Sequence, residues 1–183
     1  MNNPEVILST LDGFLSSPRH LVLYGRAALA LGYDEPEPAF QTTMDVDAII
    51  PLAELAFLEA DELLWDALDK TNSRLESSGL YITHLFDESQ VILRPDWMNF
   101  LVKLNVPHLK HLSLSRPASE DLVLTKMMRI DPHDRSDILF LLKQTPISAA
   151  EFESVCNAAR IPDIEEIHVA FEDSRKWIRE KLK

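Results

Sequence analysis

Four glycines in 183 residues leave no Walker-type phosphate loop, which spends several on one turn. A single cysteine, Cys156, excludes an intramolecular disulfide and fits a reducing, cytoplasmic setting. Basic residues are outnumbered, 18 against 30 acids, for a net charge of −12. That balance argues against a general DNA binder or a membrane-surface protein, both of which present a basic face. No apolar run approaches the roughly 18 residues needed to cross a bilayer. The start, Met1-Asn2-Asn3-Pro4-Glu5, lacks the basic region of a secretory leader. No Ser-His-Asp or Cys-His arrangement is present. What remains is ordinary for a folded protein, 46% hydrophobic and 26% charged. The expectation is a cytoplasmic globular protein with no membrane partner.

The pattern predicts an α/β half followed by helices. Asn3, Pro4 and Glu5 read as a helix start, with Val6, Ile7, Leu11, Phe14 and Leu15 as its apolar stripe. His20–Tyr24 reads as a strand, 26–32 as a short helix, 34–38 as an acidic loop, and Met44–Ile50 as a second strand. Pro51 opens a long helix over 52–76, stopped by Gly79. Further strands are expected at 80–86, 90–93 and 109–115. After Pro117 four helices are expected: 120–130, 135–144, one capped by Ser148 with Glu151, and 163–182. The implied division is 1–116 and 117–183, packed together because no Gly/Ser linker separates them.

One pattern carries chemistry. The run Leu21-Val22-Leu23-Tyr24 stops at Gly25-Arg26, a short helix follows, and the next strand reads Met44-Asp45-Val46-Asp47. Strand side chains alternate, so Asp45 and Asp47 share a face. Neighbouring carboxylates repel unless a cation or proton lies between them, and aspartate is depleted in strands. A divalent metal accounts for the pair.

Strand, Gly25, short helix and Asp-x-Asp together resemble the nucleotidyltransferase fold of the DNA polymerase beta superfamily. Three later segments narrow the resemblance: Leu101 to Lys110, Ser119-Glu120-Asp121-Leu122 through Lys126, and Asp134-Arg135-Ser136-Asp137. They are similar to small bacterial nucleotidyltransferase-like proteins, including AbiEii-type toxins. The resemblance implies an α+β fold: a mixed sheet flanked by helices, with a C-terminal helical extension. It also implies Mg²⁺ (or Mn²⁺) on Asp45 and Asp47, with a nucleoside triphosphate as substrate held at Gly25; Arg26 beside it either clamps a phosphate with its guanidinium or blocks the pocket of a small residue. Lys126 would act on phosphate, with Asp134 and Asp137 nearby. The acceptor would be a hydroxyl of RNA (tRNA among them), protein or a small molecule, and a toxin–antitoxin partner would belong to one version of this biology.

Two departures qualify that reading. Arg26 stands where the superfamily has a second small residue. The third carboxylate, which helps activate the attacking hydroxyl, is absent from 80–86, leaving Asp87, Glu88 and Asp96 as candidates. The alternative is therefore a catalytically degenerate relative that binds or regulates. Lys103, His108, Lys110, His111 and Arg116 form the basic cluster of an acidic chain, most simply a solvated strand face and otherwise a guide for an acidic or RNA substrate.

Overall fold

Asn2, one residue upstream of the expected cap, starts the first helix. Its side chain accepts the Glu5 N–H at 2.9 Å, and the Glu5 carboxylate accepts the Asn2 N–H at 2.9 Å. This capping box satisfies two amides that the helix itself cannot. In the structure, a computed structural model that describes residues 1–183 apart from the side chain of His84, the chain forms two compact units. The first comprises Met1–Asp87 with Val102–Arg116, and the second Glu88–Leu101 with Pro117–Lys183.

The first unit holds α1 (Asn3–Phe14), β1 (Arg19–Tyr24), α2 (Gly25–Gly32), α3 (Pro38–Gln41) and β2 (Asp45–Ile50). It continues with α4 (Leu52–Glu59), α5 (Glu62–Leu75), β3 (Tyr81–Asp87), β4 (Val102–Leu104) and β5 (Leu112–Arg116). The strands form one sheet in the order β3-β2-β1-β5-β4. β1 runs antiparallel to β2 and parallel to β5, β2 runs parallel to β3, and β4 runs antiparallel to β5. This is the mixed α/β architecture expected. Leu21, Leu23, Val46, Ala48 and Ile82 are buried within the sheet, while Tyr24, Asp45 and Asp47 stay half-exposed. α1 packs on α5 and β2, α2 on β1 and β2, and α5 on β3.

Three element predictions need correction. The long helix over 52–76 is two helices. Asp61 breaks it by accepting the Leu64 N–H at 3.1 Å as the cap of α5, while holding Arg19 at 2.6 and 3.0 Å. No strand forms over 90–93, where Leu93 makes one isolated bridge to Arg160. The expected strand at 109–115 begins at Leu112, because Asp12 claims the amides before it. Its buried carboxylate accepts the N–H groups of Lys110, His111 and Leu112 at 2.7–3.0 Å. β4 went unread in the sequence, being only three residues long.

The second unit contains α6 (Ser119–Lys126), α7 (Pro132–Gln144), α8 (Ala149–Ala158) and α9 (Glu165–Lys181). Residues 88–101 belong to it through specific bonds. Asp121, fully buried in the first turn of α6, accepts from the Arg94 backbone and twice from its guanidinium at 2.6–3.1 Å. Glu88 accepts from buried Trp97 at 3.1 Å and from Arg160 at 3.1 Å. The capping box of Ser148 and Glu151 starts α8 as expected. Among the described residues no helix is long and apolar enough to cross a membrane.

Candidate functional site

β1 delivers Tyr24 opposite Asp47 of β2, and the chain turns there into α2. Gly25 makes that turn with φ +65°, in the left-handed region that side chains disfavour. A Cβ at Gly25 would stand 3.3 Å from Asp47 Oδ2. Glycine is therefore required twice, once by its dihedral and once by the close approach of the carboxylate. α2 has no side-chain cap, so its first N–H groups carry the partial positive charge of a helix N-terminus beside that carboxylate.

Asp45 and Asp47 share a sheet face, with buried Val46 between them pointing to the other side. Each carboxylate is oriented by a threonine. The Thr43 hydroxyl donates to Asp45 Oδ1 at 2.7 Å, and the Thr83 hydroxyl donates to Asp47 Oδ1. The β2–β3 register shifts between Val46 and Ala48, where two residues of β3, 83 and 84, stand opposite Asp47 alone, so the bulge lies on β3, a local bend of the kind that re-aims a side chain such as Thr83. Tyr24 meets Phe86 edge to face at 5.8 Å on the same part of the sheet. Arg26 is half-buried, with its guanidinium carbon 5.8 Å from the centre of the Phe40 ring.

Thr83 is the residue that the sequence reading missed. It occupies the neighbouring strand beside Asp47, where a third acid was sought. The signal was available only as a hydroxyl residue on a strand without acids, and its meaning depends on a register that the bulge shifts. Of the acids considered, Asp87 pairs with Ile50. Ile50 has the parity opposite to Asp45 and Asp47, so Asp87 projects to the other face. Glu88 and Asp96 lie in the second unit. Among the described residues, no group of three or more His, Cys, Asp or Glu side chains is placed to hold a metal.

Lys126 also lies in the second unit. Its ammonium bonds Asp137 at 2.6 Å and Asp134 at 3.1 Å, and both carboxylates are buried. Arg129 is the second cation on Asp134, and that hydrogen bond raises its pKa above the usual guanidinium value. The cap of α7 is Asp131, which accepts the His133 N–H at 2.7 Å, so Asp134 is released to meet Lys126.

The basic cluster divides. Lys103, His108 and Lys110 are exposed, whereas Arg116 is buried with its guanidinium carbon 4.3 Å from the centre of the Tyr33 ring. Lys103, Lys110, His111 and Ser113 help line a hollow of about 330 Å³.

No curated protein and no solved structure matches the chain. A family match does exist, to the family described as "Nucleotidyltransferase of unknown function (DUF6036)", and it spans residues 8–175. That span takes in both the Gly25–Asp47 corner and the Lys126–Asp137 cluster, and the chain belongs to this nucleotidyltransferase family of unknown function.

Proposed function

We propose that the chain binds a nucleoside triphosphate at the β1–α2 corner with a divalent metal and transfers its nucleotide to a hydroxyl. The observation that carries this reading is the Gly25–Asp47 contact. A glycine bends the backbone at a helix N-terminus, and two carboxylates stand on the adjacent strand. Helix N-termini bind phosphate, and glycine lets it approach.

The donor set fits Mg²⁺ or Mn²⁺. Both are hard cations that take one or two carboxylates and fill their remaining positions with water and phosphate oxygens. Asp45 and Asp47 would hold the ion, while Thr43 and Thr83 fix their carboxylates. When bound, the ion would offset the triphosphate charge that two aspartates alone repel. Arg26 stands one residue into α2, suited to a phosphate oxygen pair. In the transfer, the acceptor oxygen bonds to the α-phosphorus, the α–β anhydride bond breaks, pyrophosphate leaves, and the acceptor proton passes to water. The acceptor classes are RNA, protein and small-molecule hydroxyls, and modification of tRNA or protein in this way would make the chain a toxin.

A second reading is favoured by Thr83. With a hydroxyl and no carboxylate reaching Asp47 from β3, the fold would bind nucleotide without turnover and act as a regulatory module. Incubation with α-³²P-labelled NTP, Mg²⁺ and a tRNA, protein or small-alcohol acceptor separates the two. Label transfer with pyrophosphate release, lost in Asp45→Asn, supports the transferase. Binding without transfer, with Thr83→Asp then giving measurable transfer, supports the degenerate reading.

A further inference from the structure

A helix that is apolar on all sides is expected to be buried. α4, Leu-Ala-Glu-Leu-Ala-Phe-Leu-Glu, is apolar on nearly every side, yet none of its residues is buried. Phe57 is 81% exposed and Leu63, just beyond it, 62%. Leu52 and Trp65 are exposed as well. This surface is held in place. Trp65 donates its indole N–H to the Leu58 carbonyl at 2.9 Å, and Asp61, between the two helices, is clamped by Arg19. Large apolar side chains exposed this close together along the chain point to an interaction site.

The charge around it selects the occupant. From Leu52 to Asp69, through α4 and the first turns of α5, the chain has six acids and no Lys, Arg or His, with Asp61 held by Arg19 and Asp66 by Lys70. Glu54 and Glu59 lie on α4 and Glu62 opens α5, all three exposed, and among the described residues none of the three is paired with a cation. A second copy docking by this same face would set acid against acid, at −12 per chain. An anionic membrane would be repelled in the same way. We propose that α4 and the first turn of α5 dock a protein partner whose apolar side chains are ringed by lysine or arginine. The surface is independent of the nucleotide reading: Asp45 and Asp47 open β2, and α4 begins beyond its other end.

The test measures binding of two synthetic amphipathic helices to the full chain, one of leucine and lysine and one of leucine and glutamate. The leucine–lysine peptide should bind and the other should not. Phe57→Ser/Leu63→Ser should weaken it at least about tenfold, as loss of a central apolar anchor does. Glu54→Lys/Glu62→Lys should exchange the preference between the peptides, which a merely unfolded variant would not do. No binding of either peptide, equal binding of both, or binding indifferent to both double variants would overturn the proposal. So would a dimer in sedimentation, or binding to phosphatidylserine vesicles, that Phe57→Ser abolishes.

Discussion

Gly25, Asp12 and Lys126 each sit where chemistry forces an uncommon choice. Gly25→Ala must hold φ +65° with a methyl 3.3 Å from Asp47 Oδ2. The left-handed cost alone is about 1 kcal/mol, so thermal denaturation should show that loss together with weaker nucleotide binding. Asp12 is buried, which raises its pKa, but the N–H groups of Lys110, His111 and Leu112 outweigh burial and leave it below the ordinary carboxylate value. A lowered pKa in the fold means that its stabilisation is present above the unfolded value and is lost as pH falls through the folded one. Asp12→Ala should therefore cost about 2 kcal/mol at neutral pH, because three amides lose their acceptor. The deficit against wild type should shrink in urea titrations carried below the carboxylate range. Lys126→Ala leaves Asp134 and Asp137 buried with one cation removed, a loss of about 3 kcal/mol. Adding Asp137→Asn should restore part of it, which a purely catalytic lysine would not show.

At the scale of elements, legibility followed how local the signal was. The turn at Gly25, the Asp45–Asp47 strand, the stop at Gly79 and the Ser148 capping box were read directly, because each is decided within a few residues. The break at Asp61 was not. Its cause is a pairing with Arg19, 42 residues away, and apolar spacing runs straight through it. Leu63 and Trp65, apolar residues just past the break, are exposed. The start of β5 was set by Asp12, about a hundred residues upstream. Thr83 gained meaning only from a bulged register. Because no residue of α4 is buried, Phe57→Ser should leave the melting temperature unchanged. Leu11→Ala, in the core of α1, should cost about 2–5 kcal/mol. Comparing the two melts checks that the exposed Phe57 side chain makes no contribution to stability.

At the scale of the whole molecule, the proposed function has an acidic chain recruit an anionic substrate through a metal at Asp45 and Asp47. Charge alone opposes this binding, at −12 for the chain, so affinity should depend steeply on the cation. The most direct measurement is calorimetric titration of each of the four nucleoside triphosphates, with and without Mg²⁺, into wild type and Asp45→Asn/Asp47→Asn. The expected result is saturable binding of at least one nucleotide to wild type in Mg²⁺ alone, abolished in the double variant. Binding that is indifferent to Mg²⁺ or to the two aspartates, or no binding to wild type under any metal, would contradict it.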